Sequence, residues 1–159
     1  MYERILVPLD GSKVGEAALP CVEELVAKLS PKTKVEVTLI QVVSSRTYYV
    51  IAGEATPPVP YTEEEVALLR EQAMDYLNKA GETLSSKGAI VTVKVMVGNA
   101  AEEIIKAADE AKADLVAMST HGRSGLSRWA FGSVADRVLR GGSQPVLMVR
   151  AQGETGKGS

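Results

Sequence analysis

The sequence predicts an α/β fold of the Rossmann-like class: an open parallel sheet of five strands with helices on both faces. Short apolar runs of strand length alternate with longer segments of helical period along the 159 residues. Such alternation indicates parallel pairing through right-handed crossovers. The apolar runs are nearly continuous, as expected for strands that helices cover on both sides. The length and the hydrophobic content of 45% suit one domain with one core.

The first part of the chain contains a strand, a helix, a second strand and a long loop. The first three elements are predicted at residues 4–9, 12–29 and 34–43. Asp10 or Ser12 can accept hydrogen bonds from the N–H groups that the first turn of the helix leaves unpaired. Residues 44–61 contain several prolines and show no clear period. We therefore expect a long loop there, with a short helical piece as one option.

Two capping signals and three further strands complete the fold. Thr62 and Glu65 form a capping-box pattern, which predicts a helix that runs to about Lys87. Asn99 is predicted to cap the next helix, and the side chain of Glu102, three residues later, to accept from the backbone N–H of Asn99 in return. The remaining strands are predicted at residues 90–97, 115–118 and 145–149, and the remaining helices at 100–113 and 133–140. Because the end of the chain lacks an apolar anchor, we predict a single domain over 1–150 and a disordered tail over 151–159.

Composition excludes several classes of partner. The formal net charge is -2 and aromatic residues make up 4% of the chain, so neither a nucleic acid nor a membrane surface is an expected partner. No stretch is apolar enough to cross a bilayer, and the start of the chain does not resemble a signal peptide. We therefore expect a cytoplasmic protein. Cys21, the single cysteine, is predicted to be a buried thiol in the first helix.

The expected ligand site is the edge of the sheet formed by the carboxyl ends of the strands. In open α/β sheets, ligands bind there, at the point where the strand order reverses. The rule selects the residues that follow strands one to four, namely Leu9–Ser12, Val42–Val43, Gly98–Asn99 and Ser119–Gly122. Asp10 is the acidic residue among them, and its carboxylate can accept from both hydroxyls of a ribose. Asp10 can equally cap the following helix, and the two roles can coexist.

The segment after the fourth strand has the features of a phosphate-binding loop. Gly122 follows that strand, and Gly132-Ser133 opens the next helix. Glycine lets the backbone approach a ligand closely, and the free N–H groups of a helix start attract phosphate. Arg123 and Arg128 add positive charge nearby. The competing interpretation is that these residues form only a turn and a helix cap.

His121 is the only histidine, which excludes metal sites and catalytic sets that need two. It can order its loop, or it can assist proton transfer near bound phosphates. Trp129 and Phe131 in the same segment can anchor the loop by packing, or they can reach a dimer partner.

The loop pattern and three other segments together resemble the universal stress protein family. ATP-binding members carry the pattern G-x2-G-x9-G-S/T after the fourth strand, which in this chain reads Ser119-x2-Gly122-x9-Gly132-Ser133. The other matching segments are Ile5–Ser12, Leu39–Val42 and Gln144–Arg150. The likeness covers roughly residues 2–150. It implies an adenine nucleotide alpha hydrolase-like sheet with the strand order 3-2-1-4-5.

The resemblance also implies roles for individual residues. Asp10 would hold the ribose, and Val42 would meet adenine through its backbone. The other implied contacts are Pro8 and Leu9 at the base, Met118 and Ser119 beside the sugar, and Gly122, Gly132, Ser133 and Val134 around the triphosphate. The implied ligand is ATP, with magnesium or manganese as a companion. The implied assembly is a homodimer made by antiparallel pairing of the fifth strands, which we expect at the sheet edge.

Ser119 departs from the family pattern, which has glycine at this position. In a left-handed backbone conformation, serine would cost on the order of 1–2 kcal/mol. At an extended strand end, serine costs little and can add a hydrogen bond. We expect the second case, because the end of a strand is normally extended.

We interpret the chain as an ATP-binding or adenine-nucleotide-binding stress-response or regulatory protein. The alternatives are a nucleotide-free dimeric scaffold or chaperone-like stress protein, and a slow ATPase. A response-regulator receiver is excluded, because it needs an aspartate where this chain has Gly98-Asn99. An ATP pyrophosphatase is excluded as well, because it needs a serine- and glycine-rich loop after the first strand. Gly11-Ser12-Lys13 contains too few of these residues.

Overall fold

A five-stranded parallel sheet forms the centre of the computed structural model, which describes residues 2–47, 50–120 and 132–151. The strands are β1 (Arg4–Pro8), β2 (Glu36–Val43), β3 (Ile90–Val97), β4 (Leu115–Ser119) and β5 (Val146–Val149). Their spatial order is β3-β2-β1-β4-β5, and every neighbouring pair is parallel. The fold class and the strand order predicted from the sequence are confirmed.

Helices cover both faces of this sheet. They are α1 (Ala18–Leu29), α2 (Glu63–Ser86), α3 (Ala100–Glu110) and α4 (Ser133–Gly141). Consecutive residues of a strand point to opposite faces, so Leu39 of β2 packs with α1 and α2 while Ile40 packs with α3 and α4. Both side chains are fully buried. In the part of the chain that the structure describes, no helix has the length and apolar character needed to span a membrane.

The chain enters α1 through a 3-10 helical turn at Val14–Ala17, whereas the sequence pattern predicts one continuous helix from residue 12. Pro20 explains the difference, because it has no N–H to donate to the Glu16 carbonyl and the turn before it tightens instead. Ser12 still serves the start of the helix. Its hydroxyl accepts from the Gly15 N–H at 3.0 Å.

The N-terminal caps predicted for α2 and α3 are present. The Glu65 N–H donates to Thr62 Oγ1 at 3.1 Å, and the Thr62 N–H donates to Glu65 Oε1 at 2.8 Å. At α3, the Glu102 N–H donates to Asn99 Oδ1 at 3.0 Å. Contrary to the expectation, the Glu102 carboxylate does not accept from the backbone N–H of Asn99. It pairs with Arg137 of α4 at 3.2 Å, since a guanidinium is a stronger partner for a carboxylate than a neutral amide is.

The turn after α3 fixes β4 beside β1. α3 ends at Glu110, earlier than predicted, because Lys112 adopts a left-handed backbone conformation with a φ of 51°. The turn places the Asp114 carboxylate against the start of β1, where Oδ2 accepts from the N–H groups of Glu3 and Arg4 at 3.1 and 2.9 Å. These hydrogen bonds join segments that are far apart in the chain.

Residues 44–47 and 50–61 belong to a loop that contains two short antiparallel ladders. Their paired strands are Arg46–Thr47 with Val59–Pro60 and Val50–Ile51 with Glu54–Ala55. Ala52 and Gly53, between the inner strands, have φ values of 53° and 84°. Two positive values of φ in succession are what a type I′ hairpin turn requires. The described part of the segment contains no helical piece, so the long-loop interpretation holds and the helical option is wrong.

Two details of burial differ from the sequence expectation. Cys21 is exposed rather than buried, because α1 directs the neighbouring Val22 into the core and Cys21 lies about 100° around the helix from it. Ala151, expected in an unanchored tail, is buried. Its N–H donates to Thr120 Oγ1 at 3.4 Å. Residues 152–159 lie outside the described residues.

Candidate functional site

A cavity opens at the carboxyl ends of the strands, where the strand order reverses between β1 and β4. Its volume is about 180 Å³, smaller than the roughly 300–1,000 Å³ of sites that enclose a drug-sized ligand. A larger ligand would therefore extend out of the cavity. Every predicted site residue in the described part of the chain lines it: Pro8, Leu9, Asp10, Val42, Met118, Ser119, Gly132, Ser133 and Val134.

Several other lining residues are not among the predicted ones, namely Gly15, Ile40, Ala100, Ile104 and Ala135. The sequence carried a signal for some of them. Ile40 stands two positions before Val42 and therefore points to the same face of β2. Ala100 and Ile104 lie one helical turn apart on α3. Gly15 gives no such signal, because its position depends on the 3-10 turn before α1.

β2 extends past the end of β1 and leaves backbone groups free at the cavity. The last bond between the two strands runs from the Leu9 N–H to the Ile40 carbonyl at 2.8 Å. Backbone groups of alternate residues point to the same side of a strand, so those of Val42 point toward the β1 side, where the register has already ended at Pro8 and Ile40. The N–H and C=O of Val42 can therefore bind a planar donor–acceptor edge.

One wall of the cavity is the N-terminus of α4. Gly132 is the N-cap, with an extended backbone (φ -64°, ψ 154°), and no described side chain caps this helix. The first internal bond runs from the Asp136 N–H to the Gly132 carbonyl at 2.9 Å. The N–H groups of Ser133, Val134 and Ala135 thus have no acceptor within the helix. Unpaired amides at the positive end of a helix attract anions.

Another wall carries the exposed carboxylate of Asp10. Asp10 Oδ1 accepts from the Ser12 N–H at 2.9 Å and from the Ser12 hydroxyl at 2.6 Å. The chain can turn this tightly because Gly11 adopts a left-handed φ of 87°. Asp10 therefore stabilises the turn before α1 and lines the cavity at the same time.

Ser119 is the last residue of β4, so it lies in extended backbone, as expected for a strand end. Its hydroxyl donates to the Gly15 carbonyl at 2.9 Å and accepts from the Ala18 N–H at 2.9 Å. Serine at this position thus adds two hydrogen bonds that glycine could not make. They connect the end of β4 to the start of α1.

Tyr76 of α2 connects the core to the turn that holds Asp10. Its hydroxyl donates to Glu16 Oε2 at 2.8 Å. Burial raises the pKa of Tyr76, and the carboxylates of Glu16 and Asp10 raise the pKa further, because a phenolate beside two negative charges is disfavoured.

We expect the stabilising effect of Tyr76 to be lost in alkali. Because folding raises the pKa of Tyr76 above its unfolded value of about 10, its contribution is complete below that value and declines as the pH rises above it. The free energy of unfolding, measured in urea at pH 8 and pH 11, should therefore differ less between wild type and Tyr76→Phe at the higher pH. A difference that stays constant or widens would contradict this assignment.

Part of the predicted phosphate loop lies outside the described residues: Gly122, with His121, Arg123, Ser124, Arg128, Trp129 and Phe131. Within the described ranges, no three His, Cys, Asp or Glu side chains come together as a metal site. The described side chains therefore do not provide a set of ligands for magnesium or manganese, and we assign none of them to a metal.

The chain is similar to universal stress proteins over nearly all of its length. A sequence model described as the universal stress protein family matches residues 1–150. Universal stress protein MJ0531 of Methanocaldococcus jannaschii is 32% identical over 151 residues, which cover 94% of this chain and 83% of that protein. Universal stress protein MJ0577 of the same organism is 31% identical over 159 residues, covering 94% of this chain and 96% of that protein.

Solved structures show the same fold. The structure of protein MJ0577 superposes with a TM-score of 0.73 and 26% identity, over 97% of this chain and 99% of that chain. A universal stress protein solved in complex with cAMP superposes with a TM-score of 0.63 and 20% identity, over 95% of this chain and 98% of that one. At that level of identity, the second likeness shows the fold alone.

Proposed function

The chain belongs to the universal stress protein family, and from that membership we propose that it binds an adenine nucleotide, ATP in the first place, as a stress-response or regulatory protein. The observation that carries the proposal is one cavity lined both by the Asp10 carboxylate and by the uncapped start of α4. A carboxylate suits sugar hydroxyls, and unpaired amides suit phosphate. A ligand that joins a sugar to phosphates matches both groups.

The apolar part of the cavity supports adenine as the base. Pro8 and Met118 offer apolar surface to a flat ring, and the free backbone groups of Val42 can pair with the amino group and a ring nitrogen of adenine. Guanine presents a carbonyl oxygen in place of that amino group. The Val42 carbonyl would then face another acceptor, so we expect ATP to be preferred over GTP.

The phosphates are assigned to the start of α4. The N–H groups of Ser133, Val134 and Ala135 lack helical acceptors, and the Ser133 hydroxyl is a further donor. The short helix places its positive end at the cavity. Gly122 remains part of the proposal on the strength of the sequence pattern.

Two measurements test this function: analysis of the nucleotide that co-purifies with the protein, and titration calorimetry with ATP. We expect heat-denatured protein to release ATP, ADP or AMP, or the emptied protein to bind ATP at micromolar concentrations. Asp10→Asn removes the charge that faces the sugar, and we expect it to weaken ATP binding by roughly ten-fold or more. Asp75→Asn, at an exposed carboxylate of α2 that does not line the cavity, is the matched control and should bind as wild type does.

A protein that neither releases nor binds an adenine nucleotide would instead support the nucleotide-free scaffold. For the slow ATPase alternative, His121 is a candidate to assist proton transfer, and it lies outside the described residues. Turnover of ATP by wild type and its loss in His121→Ala would favour that alternative.

We also propose a homodimer formed through β5, which lies at the edge of the sheet. Its four residues are apolar, and Leu147 is 37% exposed. An apolar edge strand of this kind invites pairing with a second copy. The carbonyls of Pro145 and Val149 accept from the N–H groups of Val116 in β4 and of Thr120 just after it. By alternation, the backbone groups of Val146 and Met148 therefore point outward.

Light scattering tests the dimer. Wild type should have twice the 16.9 kDa mass of one chain. Met148→Pro removes an outward N–H without touching the bonds to β4, so it should yield a monomer. Met148→Ala keeps that N–H and should remain dimeric. A wild-type monomer at micromolar concentration would contradict the proposal.

A further inference from the structure

A second cavity lies at the opposite end of the sheet from the candidate site, where the strands begin. Its volume is about 180 Å³, equal to that of the candidate site, and no residue lines both cavities. On this face of β2, Ile40 is fully buried beneath α3 and α4. Thr38, two residues earlier, is only half-buried, and Glu36 is exposed. The helices therefore leave the first half of β2 open on this face.

Polar residues of three neighbouring strands line this cavity. The register places Arg4 of β1 beside Glu36 of β2, and Thr38 of β2 beside Thr92 of β3. Lys94 follows two residues after Thr92, so it points to the same face. Faces of a parallel sheet that pack against helices are apolar. The polar set thus marks a part of the sheet that is available to a ligand.

Most of these polar groups have no partner in the described part of the chain. The Lys94 ammonium forms no ion pair with a described carboxylate, and the hydroxyls of Thr38 and Thr92 form no hydrogen bond with a described residue. Arg4 Nε lies 3.7 Å from Glu36 Oε2, which is too far for a hydrogen bond. Donors and an acceptor are therefore free to bind a small molecule.

The charges in the cavity are separated across the pair of threonines. Lys94 lies about 7 Å beyond Thr92 along β3, and Glu36 lies about 7 Å before Thr38 along β2. Lysine and glutamate both have long side chains, so each can reach a molecule that lies over the threonines. Such a molecule would meet a positive group at one end and a carboxylate at the other.

The end of α3 adds negative charge at the Glu36 end. The turn after α3 is held there, because the Asp114 N–H donates to the carbonyl of Arg4 at 2.7 Å, and Arg4 is level with Glu36. Ala111, the C-cap of α3, lines the cavity. The unpaired carbonyls at the end of a helix carry a partial negative charge. Together with the Glu36 carboxylate, this partial charge outweighs the single charge of Arg4.

We infer that this cavity binds a small amino acid. The carboxylate of the ligand pairs with Lys94 and the threonine hydroxyls, and its ammonium pairs with Glu36 and the end of α3. The volume would hold roughly six water molecules, which suits a ligand of this size. A simple carboxylate or a simple amine would match only one end of the cavity. The inference does not depend on the proposed nucleotide binding, because the two cavities are lined by different residues.

NMR amide spectra of the isotope-labelled full chain test the class of ligand. Glycine, L-alanine, L-serine and L-aspartate are added singly at millimolar concentrations. We expect at least one of them to shift the amides of Thr38, Thr92 and Lys94 until the shifts saturate. The same molecule without its amino group or without its carboxylate (propionate and ethylamine in the case of L-alanine) should bind about ten-fold more weakly, because each loses a hydrogen bond between charged groups. No saturable shift with any of the amino acids, or equal binding of the matched carboxylate, would overturn the inference.

Two charge-removing variants test the orientation of the ligand. Lys94→Met and Glu36→Gln should each weaken amino acid binding by about ten-fold, but only Lys94→Met should also weaken binding of the matched carboxylate. Lys79→Met, at an exposed lysine of α2 that does not line the cavity, is the matched control and should bind as wild type does. Amino acid binding that neither variant alters would overturn the inference. If Lys94→Met does not fold, Glu36→Gln still distinguishes the amino acid from the carboxylate.

Discussion

Ser133→Asp should weaken ATP binding by roughly 100-fold while the protein remains folded. The new carboxylate would stand in the first turn of α4, beside the amides assigned to the phosphates. Two like charges about 6 Å apart at an effective dielectric constant of about 20 repel by close to 3 kcal/mol, which corresponds to that factor. A negative charge at a helix start also stabilises the helix by about 0.3–1 kcal/mol, so the melting temperature should hold or rise.

Two controls separate charge from shape in this experiment. Ser133→Asn removes the hydroxyl without adding charge and should change ATP affinity only a few-fold. Adenosine carries no phosphate, so its binding should be the same in wild type and Ser133→Asp. Equal losses for adenosine and ATP would mean that the start of α4 does not hold the phosphates.

Leu77→Ala should lower the free energy of unfolding by about 2–5 kcal/mol. Leu77 is fully buried where α2 packs on the sheet. The contact is close, because a Cβ at Gly81, one turn later, would lie 2.9 Å from Val91 Cγ1 of β3. Neighbours held this tightly cannot collapse freely into the space that the leucine leaves.

Leu68 provides the matched control on the same helix. Its side chain is 55% exposed, so Leu68→Ala should change the free energy of unfolding by less than about 0.5 kcal/mol. Urea unfolding curves of the two variants and wild type give both values. Similar losses at the two positions would show that the depth of burial on α2 is not as described.

Elements marked by local signals could be predicted from the sequence. Thr62 and Asn99 cap their helices through groups within three residues, so the pattern contains the whole interaction. The start of α1 was predicted less accurately. The apolar period does not distinguish an α-helical turn from the 3-10 turn observed there, and a single residue, Pro20, favours the 3-10 turn. The hairpin at Ala52-Gly53 lacks the Asn-Gly or Asp-Gly signal that usually marks a type I′ turn.

The part of the candidate site that lies at the carboxyl ends of the strands could be predicted from the sequence. Asp10, Val42 and Gly132 line one cavity because the carboxyl edge of a parallel sheet gathers the residues that follow each strand. The partners of the Ser119 hydroxyl were not predictable, since Gly15 and Ala18 lie about a hundred positions earlier in the chain. The role of Gly122 stays a prediction.

The central place of β1 in the sheet has a consequence for synthesis of the chain. β1 is made first, yet it lies between β2 and β4, and β4 begins only at Leu115. At about 5–20 residues per second, roughly 4–15 s separate the completion of β2 from that of β4 on the ribosome. During that time, the edge of β1 that later pairs with β4 has no neighbouring strand. Asp114, which connects the start of β1 to β4, is also not yet in place. The nascent chain is therefore most open to mispairing with other strands in this interval.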